Sequence, residues 1–340
     1  MKRINQILST GVLLLAFNYC SSQKTLSKTV QAQNSDTRHI LLRDEGKSQL
    51  IYVDLGHPDK NWYETVPPGR DMQLVGKGKV LIGTEAGYEE RDIVTGKKLF
   101  ELNSFPGTVA AHRLRDGNTL LTGIKWQGKE GIVLVEVDSL GAVKHVVNFP
   151  GFDYVRLVRE TASGNFLITS NTLVFEGTRS GNIVWSTKIS GVQNPHTWQA
   201  LRLANGQTLV SAGFSKNFQL FSLDGKLVDT ITGPPEANPN FYAGFQILAN
   251  GNYVVANWQG HGPTHGASGM QVLEYDPQHQ LVWHWQQDAA KISSLQAVII
   301  LDGLDTNFLN IEDADGKLAP VKIVKRKNGY RENNLNPLTP

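Results

Sequence analysis

The segment Trp258-Gln259-Gly260-His261-Gly262-Pro263-Thr264-His265-Gly266 sets two imidazoles among glycines and beside a large ring. Imidazole titrates near neutral pH, so it can act as acid, base or metal ligand. Glycine lets the backbone approach a ligand closely. Residues of similar character recur upstream: Arg70 before Asp71, His112 after Ala111, Tyr154 and Arg156 after Asp153, His196 and Trp198 around Thr197, and Tyr242 after Phe241. Three chemistries follow from these residue types. The rings of Tyr154, Trp198, Tyr242 and Trp258 could stack a polar ligand. The guanidinium forks of Arg70 and Arg156 match a carboxylate. The imidazoles of His112, His196, His261 and His265 could hold a divalent metal. No His-x-His or Glu-x-x-His pair supports the metal from spacing. Residues 70 and 265 stand far apart in the chain, so only a fold that returns repeatedly to one place can unite them.

Such a fold is written in the turns. Lys77-Gly78-Lys79, Asp116-Gly117-Asn118, Ser163-Gly164-Asn165, Asn205-Gly206-Gln207 and Asn250-Gly251-Asn252 each separate two short apolar runs. The glycines recur 39 to 47 residues apart. Asn-Gly and Asp-Gly between apolar runs are hairpin signals because the tight turn needs positive φ. A hairpin at this period marks one four-stranded propeller blade per repeat. A second set of turns, such as Thr95-Gly96-Lys97, Leu140-Gly141-Ala142 and Ser180-Gly181-Asn182, leads into outer strands. With 33 glycines and 14 prolines, no apolar stripe persists at helical spacing. The fold class is therefore all-β, a single propeller.

Blades two to six are expected over 71–103, 108–148, 153–189, 196–231 and 241–287. The runs at His39–Leu42, Gln49–Val53 and Asn61–Val66 lack an inner strand before them, and Leu295–Leu301 supplies one. The N- and C-terminal strands then close one blade, which gives six; seven is the alternative if Phe308–Ile311 and the segment after Pro320 form another. The propeller spans 37–312, with a C-terminal extension over 313–340. In this grammar the loops entering the inner strands and the loops after the second strands share one face. All ten site candidates, Arg70, His112, Tyr154, Arg156, His196, Trp198, Tyr242, Trp258, His261 and His265, lie in or next to those loops, and we expect them at the mouth of the central channel. Four further tryptophans, Trp62, Trp185, Trp283 and Trp285, fall on outer strands and are expected to pack between blades.

The N-terminus reads as a targeting segment: Lys2-Arg3, then an apolar stretch ending Val12-Leu13-Leu14-Leu15-Ala16-Phe17, over residues 1–20. Cys20, the one cysteine, follows directly and resembles the lipidated residue of a bacterial lipoprotein signal; residues 21–36 form a polar tether. The expected location is the periplasm or cell surface, with a lipid anchor at Cys20 to the outer membrane as the only membrane attachment. A net charge of +2 gives no electrostatic case for nucleic acid.

The outer-strand pattern Gly181-Asn182-Ile183-Val184-Trp185 resembles the quinoprotein-like (PQQ-like) propeller superfamily, and Asn205-Gly206-Gln207-Thr208-Leu209-Val210 is similar to propellers related to arylsulfotransferases. The resemblance covers nearly the whole ring. Quinone-cofactor members use two adjacent cysteines, which this chain lacks, so PQQ is not expected and neither is another organic cofactor. Among propeller enzymes, metal-dependent oligogalacturonate lyases use histidines and a glutamine on the channel face; by that comparison His112, His196, His261 and Gln246 are the candidates for a divalent metal here, although no diagnostic motif aligns. The function expected first is a monomeric, extracytoplasmic propeller that binds a small polar ligand, a carbohydrate, at the channel mouth. The alternatives are a carbohydrate-active lyase or hydrolase at that site, and a protein-interaction scaffold.

Overall fold

The computed structural model describes residues 37–126, 128–285 and 287–324. The signal, lipidation and tether expectations for residues 1–36, and most of the C-terminal extension, lie outside them. Six four-stranded antiparallel blades form the ring. Blades two to six run in simple chain order, from Met72–Gly76 through Lys98–Leu102 in blade two to Phe241–Ile247 through Leu281–Trp285 in blade six. Blade one combines both ends of the ring: Leu295–Ile300 is its inner strand, against His39–Asp44, Gln49–Asp54 and Trp62–Thr65. Ile40 opposes Ile300 and Leu42 opposes Val298, with both pairs fully or nearly buried. This closure removes the two sheet edges an open ring would expose.

The turns are built as their residues dictate. At Gly117 and Gly206 φ is +88° and +82°, where a Cβ is strained. Before them, carboxylate and amide oxygens of Asp116 and Asn205 accept the N–H of Asn118 (2.9 Å) and Gln207 (3.0 Å), closing Asx turns.

Inner strands of neighbouring blades diverge and share almost no ladder, so side chains must join them. Buried glutamines do so. Gln246 Nε2 donates to the Ile300 carbonyl (3.2 Å) while Ile300 N–H donates to Gln246 Oε1 (2.7 Å). Gln199 makes the same two bonds to Phe245, at 3.2 and 3.1 Å. Gln73 joins Arg113 likewise, at 3.2 and 2.7 Å. Farther out, ion pairs span the blade boundaries: Arg113 with Glu90 (2.7 Å), Arg202 with Glu176 (3.0 Å) and Arg38 with Glu274. The outer tryptophans also reach the next blade: Trp62 Nε1 donates to the Ile93 carbonyl and Trp185 Nε1 to that of Leu223, while Arg38 lies over Trp283.

Phe308–Ile311 does not start a seventh blade. The strands Leu309–Glu312 and Leu318–Val321 form a hairpin beside the inner strand of blade two, with Leu309 opposite Val75. It reaches blades four, five and six: Glu312 accepts from Arg159 Nε (3.2 Å), Ala204 N–H donates to the Ala314 carbonyl (2.7 Å), and Lys317 bridges to Ile247. The hairpin thus lies across the channel on the side of the Asn-Gly turns, and it crosses the boundary expected at residue 312.

Gln246→Ala removes both bonds to Ile300 and leaves its buried N–H and C=O without partners. At about 1–3 kcal/mol per orphaned group, the variant should lose about 2–5 kcal/mol of stability, read by chemical denaturation. A midpoint unchanged from wild type would contradict the bridging role.

Candidate functional site

Opposite the hairpin the channel opens into a cavity of about 520 Å³. Its wall is a continuous run of rings. Tyr154 meets His196 at 5.6 Å, His196 meets Phe214 at 6.1 Å, Phe214 meets Phe241 at 4.7 Å, Phe241 meets Trp258 at 5.5 Å, and Trp258 meets His261 at 4.7 Å between centroids. Trp198, 5% exposed, packs edge-on against Phe241 and forms the floor. The loop before blade five carries this geometry through strained backbone: Asn194 and His196 have φ of +54° and +56°.

Arg70 and Arg156 are half-buried in the cavity. The guanidinium carbon of Arg156 lies 4.8 Å from the Trp198 ring and 4.7 Å from Tyr154; that of Arg70 lies 5.8 Å from Trp198. Neither pairs with a carboxylate among the described residues, and Arg156 Nε is buried without a hydrogen-bond partner. Burial, then the Arg70 charge, lowers the Arg156 pKa to about 10; burial lowers that of Arg70 as well. His196 Nδ1 is also buried and unbonded, and burial followed by the Arg156 charge pushes this imidazole below its usual range. Both effects favour the neutral form of His196. On the rim, His261 Nδ1 sits 2.9 Å from Glu45 Oε1, and Trp258 Nε1 donates to Glu45 Oε2 at 3.1 Å.

Arg70, Arg156, His196, Trp198, Trp258 and His261 thus line one cavity, and Tyr154 touches two of them. The other expected site residues stand elsewhere. His265 braces its own loop, with Nε2 donating to the His261 carbonyl at 3.0 Å. Tyr242 is fully buried between blades, its hydroxyl 2.6 Å from that of Tyr275, because its side chain points away from the channel. Burial and Tyr275 raise its pKa strongly. Gln246 is the bridge to Ile300 described above. His112 lies below the mouth, buried, with Nδ1 3.1 Å from Asp71 Oδ2. The metal set His112, His196, His261 and Gln246 therefore does not converge, and among the described residues no three His, Cys, Asp or Glu side chains group as metal ligands.

Sequence reasoning passed over Glu45, Phe214 and Phe241, although all three stood in the loops assigned to this face. It also passed over the network beneath the mouth. Arg159 donates twice to Asp71 (2.7 and 2.9 Å) and to Glu312 on the hairpin; Asp71, at φ +79°, also takes His112. Arg43 Nη1 donates to the Asp71 carbonyl (3.0 Å) and Nη2 to that of Pro67 (3.1 Å), and so ties this network to the mouth loop.

No family model matches the chain, and no curated protein matches it. Solved structures do. A Bacteroides caccae protein of unknown function is 20% identical with a TM-score of 0.63, covering 78% of this chain and 98% of its own. Virginiamycin B lyase from Staphylococcus aureus, solved with quinupristin, is 12% identical with a TM-score of 0.50, covering 76% and 87%. A chain of the nidogen–laminin complex is 11% identical with a TM-score of 0.54, covering 77% and 98%. At these identities the likeness is one of β-propeller fold.

The Asp71 network yields a pH test. Arg159 and His112 overcome the cost of burial and hold the Asp71 carboxyl well below its usual range. Its stabilisation is thus complete above the unfolded pKa of about 3.9 and is lost as pH falls through the lower folded value. Asp71→Asn leaves Arg159 short of its partner and should cost about 3–5 kcal/mol near pH 7. The gap from wild type should narrow only well below pH 4; a gap that closes near pH 6 would contradict this assignment.

Proposed function

We propose that this chain is an exported propeller that binds a small polar ligand, a carbohydrate, in the aromatic cavity at the channel mouth. The observation that carries this reading is the cavity itself. Aromatic walls with a few polar groups, in a well open on one side and crossed by the hairpin on the other, suit a ring with polar substituents. The pattern of the outer strands supports placing it with the quinoprotein-like propellers. Lys2-Arg3, the apolar stretch and Cys20 support export and lipid anchoring.

A second reading, catalysis at the same mouth by a lyase or hydrolase, is favoured by the His261–Glu45 pair. A carboxylate that orients an imidazole is the arrangement of a general base.

Two tests follow. Trp258→Ala should abolish binding in a calorimetric screen against neutral and acidic saccharides, while its melting temperature stays within a few degrees of wild type. A large stability loss with binding intact would return Trp258 to a packing role. For the anchor, Cys20→Ser should move the protein from the membrane fraction to the soluble fraction. A variant that still sediments with membranes would reject lipidation.

A further inference from the structure

The chain partners its other buried and half-buried arginines. Arg38 takes Glu274, Arg91 takes Glu89, Arg113 takes Glu90, Arg159 takes Asp71, Arg202 takes Glu176, and Arg43 is capped by two carbonyls. Arg70 and Arg156 break this rule inside one cavity. The acids near them are engaged elsewhere. Asp44 accepts the N–H groups of Lys47, Ser293 and Ser294; Asp71 serves Arg159 and His112; Glu45 serves His261 and Trp258. Glu85 stands exposed on the rim. Two like charges therefore share one aromatic cavity; burial acts against the charged form of both, and the Arg70 charge adds to it at Arg156. A third polar atom, His196 Nδ1, waits unbonded beside them.

Resting on the reading of the mouth as a ligand site, we infer that the ligand carries an oxyanion, a carboxylate or a sulfate or phosphate ester in its place, held between the guanidinium groups of Arg70 and Arg156. Planar donor forks match such groups with paired hydrogen bonds, and a site poor in water strengthens them. The ring bearing the anion lies against Trp198, Trp258 and Phe214. An anion here also offsets the charge that depresses His196, so binding must raise the pH at which that imidazole titrates.

The test uses the full chain with three anionic probes, galacturonate, glucose 6-sulfate and glucose 6-phosphate, against galactose and glucose as neutral controls. Ionic strength is matched with chloride. At least one anionic sugar should raise the melting temperature above its neutral counterpart, and which one does so tells carboxylate from sulfate or phosphate. Arg70→Gln and Arg156→Gln should weaken that binding by roughly 10- to 100-fold, the worth of a charge-assisted bond. Arg156→Lys, which keeps the charge without the fork, should fall between. Lys226→Gln, an exposed charge outside the cavity, should bind as wild type. In chloride alone the two Gln variants should melt no lower than wild type, since each relieves repulsion. By NMR the His196 midpoint should rise with the anion in wild type and stay in place in the Arg variants.

Equal stabilisation of wild type and both Gln variants would mark a general salt effect and overturn the clamp. So would silence from all three anionic sugars and from inorganic sulfate, run as a fourth anionic probe. Neutral sugar binding that ignores both arginines would overturn the clamp while leaving the mouth as a saccharide site. Binding of inorganic sulfate through the arginines, with no sugar bound, would keep the clamp and remove the saccharide reading.

Discussion

A propeller depends on contacts between sheets that cannot share a hydrogen-bond ladder. Neighbouring blades splay, so the backbones of adjacent blades meet only at isolated points, such as Arg70 N–H on the Val109 carbonyl at 3.0 Å, and elsewhere side chains must bridge them. Gln73, Gln199 and Gln246 solve this in one way: a planar amide offers one donor and one acceptor, and a strand residue offers the complementary pair. The bridges leave few backbone groups orphaned where water is excluded. The Arg–Glu pairs and outer tryptophans repeat the same logic at larger radius, where the gap is wider and longer side chains are needed. The glutamine clips fix the inner strands from which the mouth loops at Arg70, Trp198 and Tyr242 hang.

The site inherits its precision from the ring. Trp198 precedes the bridging Gln199, so the floor of the cavity is set one residue from an interblade clip. Arg70 precedes Asp71, whose carboxylate is held by Arg159 and whose carbonyl is held by Arg43. Glu312 extends this network to the hairpin across the far side of the channel. The two ends of the channel are thus joined by charge-assisted hydrogen bonds rather than by apolar packing. A cavity of about 40 Å³, lined by inner strands of all six blades, remains between them, large enough for ordered water.

How much of this was legible follows from which signals are local. Blade number and closure were legible because each hairpin turn carries its own chemistry, and because Leu295–Ile300 is a strand with no partner except His39–Asp44. The hairpin Leu309–Val321 was not, since it meets blade two through a single ladder position, Leu309 with Val75. Loop topology placed Arg70, Arg156, His196, Trp198, Trp258 and His261 around one cavity. It failed for Tyr242 and Gln246 because they sit within the inner strand, where alternate residues face opposite sides. Tyr242 turns into the blade interface; Gln246 turns toward the next strand and is consumed by the backbone. His112 is a different case, with the right radius but the wrong depth, and depth along a channel leaves no mark in sequence.

The contrast between the two charged layers carries the functional weight. Beneath the mouth, Asp71, Arg159, His112 and Glu312 satisfy one another, as a structural network must when buried. In the mouth itself, a few residues away along the same strands, Arg156 Nε and His196 Nδ1 have no hydrogen-bond partner, and Arg70 pairs with no carboxylate among the described residues. Natural sequences tend to break local rules at functional sites and keep them elsewhere. Packing alone has no use for two guanidinium groups that repel each other beside an unbonded imidazole, since apolar side chains would fill the same space without the repulsion. Elsewhere the chain gives such groups a carboxylate or carbonyl partner, as for Arg159 with Asp71 and Arg43 with two carbonyls. The open valences at the mouth are therefore complementary to something the chain does not itself supply.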